Sequence, residues 1–215
     1  MRVVTIASQK GGTGKSTLAI NLGVQADRRD GPVAIVDCDE HRGLAQWRLQ
    51  REAERPVVAE LPEEGGIGAI LEGCREAGAR LVILDTPAGT PRPGSVIAQA
   101  IGAAHLVVMA SKTGFLDIMA ARPTAEAIAA ARVPGAVVLN DVPARSAVVE
   151  GARTALAGYG LPVCPTAVVH RVGISYSLLT GQSLAEYDPR NPGVEEFKKV
   201  WSWLKGRLGH VAQHR

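Results

Sequence analysis

The sequence has few aromatic residues and few cysteines. Aromatic side chains make up only 4% of the 215 residues, so a hydrophobic core has to be built mainly from Val, Ile, Leu and Ala. The three cysteines, Cys38, Cys74 and Cys164, form no Cys-x-x-Cys pair, which argues against a disulfide framework or a zinc site. No signal peptide precedes the first strand-like segment, and we therefore expect a protein of the reducing cytoplasm.

Long hydrophobic runs and a strong excess of one charge are also missing. No apolar run approaches the ~20 residues that a membrane-spanning helix needs. The 24 basic and 21 acidic residues give a net charge of +3, which by itself does not indicate DNA binding. With 46% hydrophobic and 21% charged residues, the composition is typical of a globular protein. The length predicts one domain, residues 1–215, with a single sizeable core.

Strand-like segments alternate with helical patterns along the whole chain. The predicted strands lie near Val3, Val33, Val57, Leu81, His105, Ala136 and Val163. This alternation predicts an α/β fold in which a mostly parallel, twisted sheet carries helices on both faces, giving three α/β/α layers.

A glycine-rich segment joins the first predicted strand to the first predicted helix. Residues 9–17 read Gln-Lys-Gly-Gly-Thr-Gly-Lys-Ser-Thr. Its glycines allow successive amide N–H groups to point at phosphate oxygens, and the following helix adds the positive end of its dipole. In such a loop Lys15 contacts the β and γ phosphates and the Ser16 hydroxyl binds Mg²⁺. The predicted nucleotide-binding residues are Gly11, Gly12, Thr13, Gly14, Lys15, Ser16 and Thr17.

Acidic residues follow two other predicted strands. Asp37 and Asp39 end one apolar run, and Asp85 ends another. Ligands bind at the carboxyl ends of strands in open α/β sheets, so these acids are predicted to converge on the phosphate loop. Asp85 would hold Mg²⁺ together with Ser16, and Asp39 would orient the attacking water with Asp37 beside it. For any single one of these residues, capping of the next helix is a common alternative.

These motifs together resemble the ParA/MinD family of ATPases. Lys10 followed by Gly-Gly-x-Gly-Lys-Ser resembles the deviant Walker A phosphate loop of that family. The segments Asp37-Cys38-Asp39 and Asp85-Thr86-Pro87-Ala88-Gly89 look like its second and third nucleotide motifs. The resemblance implies a P-loop NTPase fold and a Mg²⁺-dependent ATPase.

The resemblance extends over most of the chain and is closest to small plasmid-type ParA proteins. Trp47, the segment from Phe115 to Ala121, and the segment from His170 to Ser183 match features of that group. Three departures are Gln9 in place of glycine, Glu40-His41-Arg42 where Pro-Gln-Gly is usual, and Ala110 where a strand-ending proline is common. The second departure affects the loop that activates water.

The family resemblance implies a switch between a monomer and an ATP-bound homodimer. Lys10 would reach the nucleotide of a second subunit and reduce the repulsion between two triphosphate-loaded sites. The catalytic residues would then be Lys10, Lys15, Asp39 and Asp37. Asn140, which closes a predicted strand, would contact adenine through its amide.

The resemblance also implies a role in DNA partition. Members of this type bind DNA without sequence preference when the dimer brings two basic patches together. The candidate DNA contacts here are Arg171, Lys198, Lys199 and Lys205. A ParB-type or centromere-binding adaptor would stimulate hydrolysis, and the protein would be cytoplasmic and nucleoid-associated.

The last predicted helix supports a rival interpretation. Basic residues surround a stripe of apolar residues in this helix. The apolar residues fall at helical spacing and are Phe197, Val200, Trp201, Leu204, Leu208 and Val211. Such a helix either lies on an anionic membrane, as in MinD-like positioning ATPases, or packs on the sheet. Packing is favoured, and membrane binding is not expected. A phosphoryl- or amido-transferring enzyme on the same loop is a further alternative, which would need an acceptor pocket.

Overall fold

The computed structural model describes residues 1–144 and 147–211, with side chains described up to residue 209. Within these residues the chain forms seven strands. In chain order they are β1 (Arg2–Ala7), β2 (Val33–Asp37), β3 (Val57–Glu60), β4 (Leu81–Asp85), β5 (Leu106–Ser111), β6 (Gly135–Val142) and β7 (Val168–Val169).

Helices connect these strands. They are α1 (Lys15–Asp30), α2 (Gly43–Leu49), α3 (Gly66–Glu76), α4 (Val96–Ala103), α5 (Phe115–Ala130), α6 (Ala147–Ala157), α7 (Val172–Leu179), α8 (Leu184–Tyr187) and α9 (Pro192–Val211).

The strands form one parallel sheet in the order β3-β2-β4-β1-β5-β6-β7. Alternate residues of each inner strand enter different cores. In β4, for example, Ile83 packs with α1, whereas Val82 and Leu84 pack with residues of α3 and α4. Because both faces are buried, the strands are nearly continuous Val, Ile and Leu runs. The predicted three-layer α/β/α class is confirmed.

The helix after the phosphate loop lies very close to the sheet. A Cβ atom at Gly23 of α1 would come within 2.5 Å of Ile35 Cδ1 in β2. The absence of a side chain at Gly23 therefore allows α1 to pack directly on the central strands. This packing holds the start of α1 at the carboxyl ends of β1 and β4.

The last strand does not lie where the sequence predicts it. Val163 forms only an isolated bridge with Val137. Strand β7 begins five residues later and pairs with β6 across a bulge between Asn140 and Val142. Pro162 and Pro165 flank the predicted position. Because proline has no N–H group to donate, a regular ladder cannot extend through this segment.

The apolar stripe of α9 is part of the core. Phe197, Val200, Trp201 and Leu204 are at most 3% exposed, and Leu208 is 6% exposed. The Trp201 indole N–H donates to Asp30 of α1 over 2.7 Å. The helix therefore covers the sheet, as favoured above; the Val211 side chain lies outside the described residues. In the part of the chain that the structure describes, no helix is long and apolar enough to cross a bilayer.

Candidate active site

The phosphate loop connects β1 to α1. Gly12 and Gly14 have φ angles of +72° and +81°, in the left-handed region that strains other residues. Gly14 also has no room for a side chain, because a Cβ atom there would lie 2.1 Å from Asn140 Nδ2. Lys15 begins α1, so the positive end of the helix dipole opens onto the loop. This is the arrangement of an anion-binding site.

A cavity of about 420 Å³ opens over the loop. It is lined by Gly11, Gly12, Gly14, Lys15, Ser16, Thr17, Asp39, His41, Pro87 and Ala88. All the predicted nucleotide-binding residues of the loop except Thr13 are in this set. Thr13 is buried, and its hydroxyl donates to the Lys10 carbonyl over 3.5 Å. This bond lies within the loop and stabilises its conformation.

Lys15 supplies a partly desolvated positive charge to the cavity. It is only 8% exposed. Burial lowers the pKa of Lys15, and the nearby carboxylates of Asp85 and Asp39 oppose that shift. A bound phosphate would add a negative charge beside this ammonium and so favour its charged form.

Asp85 is the buried acid next to the loop. It is 2% exposed, and its Oδ1 atom accepts no hydrogen bond from any described residue. Burial raises the pKa of Asp85 to about 7, although the hydrogen bond from Ser16 and the charge of Lys15 act in the opposite direction. An unsatisfied carboxylate oxygen beside a serine hydroxyl fits a hard cation such as Mg²⁺, which otherwise keeps waters and phosphate oxygens as ligands. Ser16 and Asp85 therefore suit the metal that the motif implies.

Asp39 lines the same cavity as Lys15. Its Oδ1 atom accepts hydrogen bonds from the His41 backbone N–H over 3.0 Å and from His41 Nδ1 over 2.8 Å. Burial raises the pKa of Asp39, but the bonds from His41 and the charge of Lys15 outweigh burial, so its pKa lies below the ordinary value. Asp39 is thus an ionised carboxylate at the phosphate cavity, which suits a residue that orients water.

Asp37 occupies a different position from Asp39. It is 3% exposed, and its two oxygens accept backbone N–H groups of Asp39 (3.1 Å), Leu44 (2.9 Å) and Ala45 (3.2 Å). These bonds fix the turn after β2 and the first residues of α2. Asp37 therefore positions the loop that carries Asp39, and the catalytic role predicted from sequence stays a prediction.

Asn140 lies beneath the phosphate loop. It is 2% exposed, and its side-chain Nδ2 donates to the Thr13 carbonyl over 2.9 Å and to the Gly14 carbonyl over 3.4 Å. Asn140 consequently braces the loop from the end of β6. Contact with adenine stays a prediction, and the bracing role was not foreseen from sequence.

Lys10 does not line the cavity. Its ammonium lies 2.7 Å from Asp117 Oδ1, in the first turn of α5, and its side chain is 44% exposed. The residues next to Asp117 on α5 include the exposed apolar side chains Phe115, Leu116 and Met119. The predicted dimerisation lysine therefore lies at an exposed surface beside the phosphate loop.

A second contact links the phosphate loop to the segment after β4. Gln9 Nε2 donates to Thr90 Oγ1 over 3.2 Å, whereas Gln9 Oε1 is buried without a described partner. The sequence marked Gln9 only as a departure from glycine. Neither this contact nor the Lys10–Asp117 pair could be inferred from spacing, because each joins residues more than 80 positions apart.

The predicted DNA-contacting residues differ in how they are held. Arg171 forms a two-pronged ion pair with Glu196 (2.6 and 2.7 Å), and both side chains are about one-fifth exposed. Lys198 pairs with Glu195 over 2.6 Å, and Lys205 pairs with Asp30. Lys199 is exposed. Arg171 is thus engaged in an ion pair within the protein, whereas Lys199 and Lys205 are exposed and Lys198 is half-buried on α9. The DNA contacts of all four residues stay predictions.

The amino-acid sequence is similar to those of proteins named for partition. The chain is 32% identical over 119 residues to Protein ParA of Rhizobium radiobacter, a match that spans 54% of this chain and 51% of that relative. It is 25% identical to the chromosome-partitioning ATPase Soj of Thermus thermophilus, over 97% of both chains.

Solved structures show the same fold. MinD of the MinC:MinD cell division complex from Aquifex aeolicus matches with a TM-score of 0.76 at 17% identity, over 96% of both chains. MinD of Pyrococcus horikoshii in complex with Mg-ADP matches with a TM-score of 0.73 at 17% identity, over 98% of both chains.

The family assignment follows from a match to most of the chain. The model of the CobQ/CobB/MinD/ParA nucleotide binding domain matches residues 4–184. ParA and MinD proteins are P-loop ATPases that act in partition or positioning. The chain therefore belongs to the CobQ/CobB/MinD/ParA family.

Proposed function

We propose that the protein is a Mg²⁺-dependent ATPase that partitions DNA. It would be a monomer when empty or bound to ADP, and a homodimer that binds non-specific DNA when bound to ATP. The observation that carries the proposal is the position of Lys10, which is exposed beside the phosphate loop while Lys15 occupies the cavity.

Nucleotide binding would use the loop and Lys15. The backbone N–H groups of the loop and the Lys15 ammonium bind phosphate oxygens, and Ser16 and Asp85 hold the metal. Bound Mg²⁺ would supply positive charge to the phosphates. Asp37 holds the loop that carries Asp39, and Asn140 holds the phosphate loop in place.

Hydrolysis would use Asp39. The oxygen of water forms a bond to the γ phosphorus, the bond from that phosphorus to the oxygen of ADP breaks, and the released proton passes to phosphate or solvent. Asp39 accepts a hydrogen bond from the water and thereby fixes its direction of attack. An adaptor of the ParB or centromere-binding type would accelerate this step, as added cations do in other phosphate-loop enzymes.

Dimerisation would use the exposed surface beside Lys10. Phe115, Leu116 and Met119 are 74%, 68% and 50% exposed, and a cluster of such side chains is typical of an interaction surface. The Lys10 pair with Asp117 is partly exposed, and such pairs are weak. Lys10 can therefore leave Asp117 when the γ-phosphate of a second subunit offers a stronger negative charge.

DNA binding would use Lys198, Lys199 and Lys205. Lys198 and Lys205 each form an ion pair in which at least one of the two side chains is exposed to solvent. DNA phosphates can therefore replace the acidic partner. A dimer carries two copies of this surface, and doubling the phosphate contacts steepens both affinity and salt dependence. This would couple ATP binding to attachment on the nucleoid.

The proposal is tested by comparing Lys10→Ala with Lys112→Ala. Lys112 is a matched control because it also forms a partly exposed ion pair at this end of the sheet, with Asp141 over 2.6 Å. Lys10→Ala is expected to bind ATP normally and to lose the ATP-dependent dimer in light scattering, whereas Lys112→Ala keeps both. An ATP-dependent dimer in Lys10→Ala would contradict the proposal.

A further inference from the structure

The loop between β2 and α2 carries a histidine that contacts Asp39 directly. Asp37 anchors both ends of this loop, and the Arg42 N–H donates to the Asp39 carbonyl over 2.9 Å. The resulting turn points the His41 ring back at the Asp39 carboxylate. Both side chains line the phosphate cavity.

Both hydrogen bonds from His41 reach the same oxygen of Asp39. The backbone N–H and ring Nδ1 of His41 lie 3.0 and 2.8 Å from Oδ1. Among the described residues, no hydrogen bond ends on Oδ2 of Asp39. One oxygen is therefore fixed by the protein, and the other is left for a ligand of the cavity.

The chemistry of the pair fixes the ring nitrogen that carries a proton. An ionised carboxylate only accepts hydrogen bonds, so Nδ1 has to be protonated. This holds for the neutral ring and for the cation, and the bond therefore persists in both states. The His41 side chain is 93% exposed, and among the described residues Asp39 is the hydrogen-bond partner of its ring.

We propose that His41 is a positioning residue for hydrolysis, which holds Oδ1 of Asp39 so that Oδ2 receives the attacking water. The inference rests on the proposed role of Asp39 in hydrolysis. Without the imidazole the carboxylate keeps one backbone bond and can rotate about its χ2 angle. Water would then be aligned in only a fraction of the bound complexes, which lowers kcat and leaves ATP binding unchanged.

The test compares steady-state ATP hydrolysis in His41→Ala and His41→Asn. An asparagine amide nitrogen occupies nearly the place of Nδ1 and donates to the same oxygen. We expect His41→Ala to lose about 2- to 5-fold in kcat, the range of a largely exposed hydrogen-bonded pair, with KM little changed. His41→Asn is expected to recover most of that loss.

His170→Ala is the matched control. His170 Nδ1 contacts Asp141 over 2.5 Å in a similar pair at the end of β6, but it does not line the phosphate cavity. It is expected to hydrolyse ATP at the normal rate in the absence of DNA. Circular dichroism is expected to show the same melting temperature for both histidine variants and the parent protein, because both rings are mainly exposed.

The outcomes separate this inference from the proposed function. A normal kcat in His41→Ala would overturn the inference. A raised KM at unchanged kcat would also overturn it, since His41 would then bind phosphate and not position Asp39. Failure of the parent protein to hydrolyse ATP, or normal turnover in Asp39→Ala, would instead contradict the proposed function.

Discussion

Replacing Asp117 with asparagine tests the proposal that Lys10 leaves Asp117 when the ATP dimer forms, because it changes the free energy of dimerisation. The Lys10–Asp117 ion pair spans 2.7 Å and is 44% exposed on the lysine side. Exposed or partly exposed pairs of this kind contribute about 0.2–1 kcal/mol. Because each dimer would have to break two such pairs, their loss is expected to favour the ATP dimer by about 0.4–2 kcal/mol. That range corresponds to a dimer Kd about 2- to 30-fold lower.

The assay is sedimentation equilibrium with a non-hydrolysable ATP analogue, so that turnover does not remove the dimer. Asparagine keeps the size of the side chain in the first turn of α5. The matched control is Glu126→Gln, which removes an exposed ion pair with Arg122 on the same helix and is expected to leave the dimer Kd unchanged. A weaker dimer in Asp117→Asn would refute the reasoning, because Asp117 would then be a dimer contact and not a competitor for Lys10.

Three other changes probe the cavity and the core. Lys15→Ala is expected to abolish ATP binding in calorimetry, because the cavity loses its buried positive charge; normal affinity would refute the site. Asp85 has a pKa raised from 3.8 to about 7, so the folded state favours its protonated form, and its contribution to stability is lost as pH rises from about 4 through 7. Asp85→Asn is therefore expected to flatten this part of the metal-free stability profile in urea titrations and to weaken Mg²⁺-dependent ATP binding; an unchanged profile would contradict the pKa argument. Trp201→Ala is expected to lower the free energy of unfolding by about 3–5 kcal/mol, since this 3%-exposed side chain would leave a cavity under α9. Ser202→Ala is the control, because Ser202 is exposed on the same helix, and it is expected to leave the free energy of unfolding unchanged.

The sequence predicts the sheet because its strands carry a strong local signal. The runs at β1, β2 and β4 are buried on both faces, and their apolar pattern needs no knowledge of distant residues. The phosphate loop is predicted for the same reason, since its glycines report backbone angles at their own positions. The structure also brings Asp39 to the cavity and Asp85 next to Ser16 of the phosphate loop, as the rule for parallel strand ends indicates.

Side-chain partners are much harder to predict from sequence. Asn140 is predicted to contact adenine, but nothing in the sequence indicates that its amide also donates to the Thr13 carbonyl, which is 127 positions away. Arg171 directly precedes α7, yet its ion-pair partner is Glu196 of α9, two helices further along the chain. In each case the choice depends on which polar group the fold places within about 3 Å, and no periodicity encodes that distance.

The sequence also could not decide whether the last helix lies on a membrane or packs on the sheet. A basic helix with an apolar stripe is compatible with a lipid surface and with a protein core, because both environments remove the stripe from water. The structure distinguishes them through burial, since Val200 and Leu204 of α9 are fully enclosed.

Control of DNA binding by nucleotide is tested most directly by binding of the purified protein to non-specific duplex DNA in ATP or ADP, measured by fluorescence anisotropy at low and moderate salt. Tight binding is expected only with ATP, with affinity that falls steeply as salt rises. Equal binding in ATP and ADP, or no binding in either, would contradict the proposal that nucleotide state controls attachment to DNA.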